Sequence, residues 1–239
     1  FGGHMLPFEN IKNLKGRVYY VNLEQLHSMD LKFSDLNDTL KFAIENFTIL
    51  DYSEANFPFW ERCGAKNLRY FPPAFGENLI IKEINEANEN KADIDLFYYG
   101  NLGFPDTNEL DYKAHFLKKA MGSNLIRPKS VLLQNDYSEL RNEFIKRTKI
   151  VLSVTADKVF PTVRSQLLLA NKKFVLSSLR EGDYIDRNYL GLVEFASIDT
   201  IAQKISDLLS SEKKITELAA ERAELFRKLN IKFLLKEFL

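Results

Sequence analysis

Apolar residues along this chain fall into short runs separated by longer amphipathic stretches. Residues 17–21 are rich in β-branched and aromatic side chains and predict a buried strand. From 33 to 46, Leu36, Leu40, Ala43 and then Phe47 recur at helical spacing, with Ser34 as the expected cap. Residues 47–50 predict a strand, 54–63 a short helix stopped by Gly64, and 68–71 a third strand. Pro72 and Pro73 close this region, and the polar stretch 77–91 reads as a linker. A second series follows: strands at 96–99, 130–134, 150–154, 174–176 and 192–195. Helices are expected between them over 109–121, 137–147, 163–171 (behind Pro161) and 198–209, with one helical stretch over 212–239. This alternation predicts an α/β fold: two βαβ domains, 5–90 and 91–210, joined near residue 90, each with a parallel sheet covered on both faces.

Composition narrows the class. The 239 residues are 45% apolar and carry 33 basic and 33 acidic side chains, a balance that argues against disorder and against nucleic-acid binding. The single cysteine, Cys63, excludes an intramolecular disulfide and a cysteine zinc site and suits a reducing compartment. No apolar run is long enough for a membrane span, so a soluble, cytoplasmic protein is expected. Phe1 to His4 read as a cloning remnant before Met5. Residues 113–149 hold nine basic and three acidic side chains. That surplus is either a solvated helical face or a surface for phosphate or an anionic membrane, so peripheral association at the inner membrane face is compatible with it.

Candidate chemistry follows from one rule: in an open parallel sheet, ligands bind beyond the carboxyl ends of the strands. The rule retains Asn22 to Gln25 after the first strand and Asp51, Tyr52 and Ser53 after the second. In the second domain it retains Gly100, Asn101 and Gly103, then Ser153 and Thr155, then Ser177 and Ser178. Side chains from two domains facing across a cleft would complete such a site. The same rule rejects Asp93 and Asp95 as a metal pair, since they precede their strand, and His27 and His115 lack a partner at ligand spacing; no metal or cofactor is expected. Glu24 is the plausible proton acceptor, with a structural glutamate as the alternative, and Gly100 is either a close-approach glycine or a plain turn. Phe57, Phe59 and Trp60 read as core rather than as a sugar-stacking platform.

Several segments together resemble a known group. Residues 20–26, 50–56 (with Asn56), 94–101, 149–153 and 160–175 are similar, in order and spacing, to segments of GT-B-type glycosyltransferases. The resemblance implies two Rossmann-like domains, a cleft between them and a C-terminal helix (211–239) crossing back to the first. It implies transfer from a nucleoside diphosphate sugar to a glycan, lipid-linked or protein-linked acceptor, without a metal, in polysaccharide or glycoconjugate synthesis. Glu24 and Asp51 are then candidate catalytic bases. Gly100, Asn101, Ser153, Thr155, Thr162 and Arg164 are candidate donor contacts, with Arg164 either on the diphosphate or in an ordinary surface ion pair. Gln25, Tyr52, Ser53 and Asn56 are candidate acceptor-side residues. The chain departs from the group where it has Pro161 and Ser178 in place of two glutamates, with Glu181 or Asp183 as substitutes, and its first domain is short. A degenerate binding or scaffold subunit is therefore the alternative reading.

Overall fold

The computed structural model describes residues 8–14, 16–26, 29–85, 92–102, 108–122, 128–134, 138–154 and 159–237. The chain forms two compact units, residues 1–73 and 74–239.

In the first unit the elements alternate: α1 (Phe8–Ile11), β1 (Tyr19–Asn22), α2 (Asp38–Asn46), β2 (Thr48–Asp51), α3 (Phe57–Arg62) and β3 (Leu68–Tyr70). The strands lie in the order β1-β2-β3, all parallel, and the register sets Asn22 beside Asp51 at the carboxyl end. Ala43, Ile44, Ile49, Phe59 and Trp60 fill its core. Phe59 and Trp60 are thus packing residues, as their neighbours in sequence suggested. The expected cap at Ser34 is corrected. Residues Phe33–Asp35 form a separate 3-10 turn, Leu36 is extended, and the oxygen of Asn37 accepts from the Leu40 amide at 2.9 Å. Ser34 instead donates to Asp35.

The second unit runs α4 (Lys82–Asn85), β4 (Ile94–Tyr99), α5 (Asn108–Met121), β5 (Ser130–Leu133), α6 (Glu139–Arg147), β6 (Thr148–Ser153), α7 (Thr162–Ala170), β7 (Phe174–Ser178), β8 (Glu194–Ala196), α8 (Ile201–Leu209), α9 (Glu212–Lys228) and α10 (Ile231–Lys236). Its five strands are parallel in the order β5-β4-β6-β7-β8. Side chains alternate along each strand, so the sheet feeds two cores. Phe97, Tyr99, Val151 and Val175 pack with Ile145, Leu168 and Phe226 on one face. Leu96, Tyr98, Leu152 and Leu176 pack with Phe116 and Ile205 on the other.

Three expectations are corrected here. The stretch from Glu77 is not a linker as far as Asn85, because Leu79, Ile80 and Ile81 pack against the second unit's core. Asn171 fastens it there: its oxygen accepts from the Ile81 amide and its nitrogen donates to the Leu79 carbonyl, both at 2.7 Å. The chain therefore passes between units at Pro73 and Ala74 rather than near 90. The C-terminal stretch is two helices, not one. Phe75 donates to the Leu229 carbonyl at 2.8 Å and accepts from the Ile231 amide at 2.9 Å, which draws 229–231 out of the helix, and Asn230 then caps α10. In α9, Ile215, Ala219 and Phe226 are buried in the second unit's cores.

Candidate functional site

The second sheet has a topological switch point. From β4 the chain moves out to β5, then returns to β6 on the other side of β4, so the loops after β4 and β6 diverge. A crevice of this kind is where open α/β sheets bind ligands. Gly100 ends β4 with φ of +124°. A Cβ there would lie 2.6 Å from Nη2 and 3.1 Å from Cζ of Arg164, so only glycine lets the guanidinium rest on this backbone. Arg164 comes from the first turn of α7 and also sits 5.2 Å from the Tyr99 ring centroid and 5.8 Å from that of Tyr98. Among the described residues its guanidinium makes no hydrogen bond or ion pair.

Two further groups lack hydrogen bonds among the described residues: Ser153 Oγ, at the end of β6, and Thr162 Oγ1, at the start of α7, both buried. A buried hydroxyl left unmade costs about 1–3 kcal/mol, so such atoms are uncommon away from functional sites. Asn101 is exposed, and its carbonyl accepts from Tyr98 Oη at 2.9 Å and from Lys113 Nζ at 3.2 Å. Lys113 was not anticipated; its only signal was the basic surplus that begins at that residue. Three other members of the surplus lie at the opposite end of the sheet. There Lys129 and Arg147 hold Asp93, while Lys149 bridges Asp95 and Glu212. The two basic partners of Asp93 keep its carboxyl well below the usual range. Asp93 and Asp95 are thus strand-start ion pairs. Asp183 is bonded to Arg180 through Nε and the backbone amide, at 3.1 and 2.8 Å, and Glu181 is exposed on the intervening turn. Ser178 is buried at the end of β7. Gly103, Thr155 and His27 lie outside the described residues, and His115 is exposed.

In the first unit, Asp51 is fully buried and accepts four N–H donors. Oδ2 takes Asn22 Nδ2 at 2.8 Å and Trp60 Nε1 at 2.6 Å. Oδ1 takes the Ser53 amide at 2.8 Å and Asn56 Nδ2 at 3.0 Å. Burial pushes the carboxyl above its ordinary value against the pull of these donors. With every acceptor direction filled and no exposure, Asp51 is a structural hub, which corrects its assignment as a base. Tyr52, Ser53 and Asn56 are buried as well, and so are not presented to an acceptor. Asn56 donates to the Glu24 carbonyl at 2.9 Å and accepts from the Leu26 amide at 2.8 Å. Asn22 also donates to the Glu24 carbonyl, at 2.8 Å, and accepts from its amide. The hub therefore pins the backbone of residues 22–26 and leaves the Glu24 side chain exposed, with Gln25 half-buried beside it. Glu24 borders a cavity of about 330 Å³ whose other walls include Tyr20, Met29, Leu36 and Leu40.

No protein-family model matches the sequence, and no curated protein matches it. Solved structures do. Sucrose-phosphate synthase from Thermosynechococcus elongatus superposes with a TM-score of 0.51 at 10% identity, over 96% of this chain and 68% of that one. TarM gives 0.55 at 14%, over 93% and 49%. The Anabaena protein HepE, in complex with UDP and glucose, gives 0.54 at 12%, over 90% and 67%. The chain thus spans about half to two-thirds of the length of these proteins. The likeness is one of fold, that of the GT-B-type glycosyltransferases.

Proposed function

We propose that this protein is a glycosyltransferase that moves a sugar from a nucleoside diphosphate donor to a glycan or glycoconjugate acceptor. One observation carries the reading: at the switch point of a parallel sheet, an arginine without an ion pair among the described residues lies on the backbone of a glycine where a larger residue would be strained and would displace the guanidinium. The bound UDP of HepE supports a nucleotide as the occupant.

In this reading Arg164 receives the diphosphate, whose negative charge grows as the sugar bond breaks. A directed donor of this kind contributes roughly 3–4 kcal/mol to barrier lowering, against about 0.3–1 kcal/mol for an exposed helix terminus alone. Lys113, one hydrogen bond from the Gly100–Asn101 turn, adds positive charge, so we assign leaving-group stabilisation to side chains and propose that no metal is required. Ser153 Oγ and Thr162 Oγ1 supply hydrogen bonds to the donor. Glu24 takes the acceptor proton.

A specific observation favours a second reading, a subunit that binds nucleotide without transferring sugar. Pro161 and Ser178 stand where the group that the sequence resembles carries glutamates, and Asp183 is already engaged by Arg180. A thermal-shift panel of nucleoside diphosphates and their sugars tests the first requirement of both. Saturating ligand at about a hundred times Kd stabilises the bound unit by roughly 2.7 kcal/mol. A midpoint rise confined to one base family is expected, and flat melts across the panel would overturn both readings. Bound nucleotide sugar without turnover toward any hydroxyl acceptor selects the second.

A further inference from the structure

We infer that Arg141 and Arg164 form one paired-guanidinium site on the Tyr99 ring, and that its ligand is a diphosphate rather than a single phosphate. The place of Arg141 in donor binding rests on the transferase reading; the preference of the pair for a diphosphate does not. Tyr99 ends β4, and the first turns of α6 and α7 each bring an arginine to it. Cζ of Arg164 lies 5.2 Å from the ring centroid and Cζ of Arg141 lies 5.7 Å from it. The two charges are therefore at most about 11 Å apart, roughly one Debye length, and they repel. No acidic residue stands three or four positions from either arginine along its helix. Arg147, Arg180, Arg222 and Arg227 each hold a carboxylate. Among the described residues Arg141 and Arg164 hold none.

The pair is set up for oxygen ligands. The Tyr99 ring supports both planar groups, and Gly100 leaves room for Arg164 against the backbone. Arg141 donates from Nε at 3.0 Å and from Nη2 at 2.7 Å to Oδ1 of Asn142, a neutral acceptor that orients the guanidinium without cancelling its charge. Its Nη1 makes no hydrogen bond among the described residues. Both arginines are half-buried, so their remaining N–H groups are open to a ligand from solvent. A phosphoryl group satisfies one guanidinium through two parallel N–H bonds. Two guanidiniums on separate helices call for two such groups in one ligand, and a diphosphate carries them on adjacent phosphorus atoms. A single phosphate leaves one cation uncompensated beside the other.

The test titrates the full chain with inorganic pyrophosphate and with inorganic phosphate by calorimetry at matched ionic strength. Pyrophosphate is expected to bind at least about tenfold more tightly. Arg141→Gln should weaken pyrophosphate binding at least about tenfold and change phosphate affinity less than about threefold. Lys118→Gln, which removes an equal charge from an exposed position on α5, should leave both affinities as in wild type. A second measurement needs no variant: phenylglyoxal modification of the wild type, mapped by mass spectrometry, should show pyrophosphate shielding Arg141 together with Arg164. Equal affinity for the two anions, wild-type pyrophosphate binding in Arg141→Gln, or shielding of Arg164 alone would overturn the inference. Pyrophosphate held by both arginines without nucleotide stabilisation would keep the pair and reject the nucleotide-sugar reading. Nucleotide stabilisation with Arg141 unshielded would reject the pair and leave the transferase reading standing.

Discussion

Replacing Asp51 by asparagine changes one atom at the centre of the first unit, and the structure allows the cost to be worked out. The carboxylate takes two N–H donors on each oxygen. An asparagine can keep one oxygen, so its amide nitrogen must face two donors in a space with no water access. Two hydrogen bonds to a charged acceptor are lost, each worth about 1.5–3 kcal/mol, and two donors are left buried and opposed. Against this stands relief from desolvating a charge, which is what raises the carboxyl's pKa. The net expectation is a loss of about 3 kcal/mol, large against the roughly 5–15 kcal/mol total of an ordinary domain. Urea denaturation followed by tryptophan fluorescence reads this directly, since Trp60 is the single tryptophan of the chain and bonds to Asp51 itself. The folded pKa lies above the ordinary value near 3.8, so proton-linked stability is present below that value and lost as pH rises through the folded one. The gap between wild type and Asp51→Asn should accordingly be wider at pH 4 than at pH 8. A midpoint within error of wild type would refute the hub, and a gap that widens with pH would refute the direction of the shift.

Gly100→Ala should cost about 1–3 kcal/mol in backbone strain and weaken nucleotide binding about tenfold or more by displacing Arg164. Gly191→Ala, also at a positive φ (+82°) but with nothing within 4 Å, should cost strain alone, and titration of both variants separates the two effects. Glu24→Gln should abolish transfer while nucleotide affinity, measured by calorimetry, stays as in wild type. Lys173 is held by burial at a pKa of about 8, below its unfolded value, so its stability contribution is lost as pH falls through that point. Lys173→Met should therefore raise stability at pH 7 by about 1–2 kcal/mol, after discounting partial exposure and the lost bond to the Lys146 carbonyl, and the gain should vanish in melts near pH 10.5.

The strands were legible because burial on both faces writes itself as local apolar runs: all eight fall where the pattern placed them, with ends shifted by a residue or two. Boundaries set by distant partners were not. The stretch from Glu77 looks polar, and what fixes it to the second unit is Asn171, some 90 positions away by the separations of its bonds. The break at Asn230 depends on Phe75, and Leu229 otherwise continues a helical pattern. The strand-end rule singled out Gly100 and the resemblance singled out Arg164, and the two lie against each other beyond the ends of neighbouring strands. The same rule misjudged Asp51, because a strand-end carboxylate reads identically whether it faces solvent or four donors from Asn22, Ser53, Asn56 and Trp60. Lys113 escaped notice because its position in α5 carries no mark until the helix is placed against the Asn101 turn.

The account turns on Arg164 as the diphosphate contact, and calorimetric titration of the stabilising nucleoside diphosphate into wild type and Arg164→Ala measures it. Loss of a charged pair of hydrogen bonds predicts affinity at least about tenfold weaker in the variant, with its melting temperature in the absence of ligand little changed. Equal affinity in the two proteins would contradict the account.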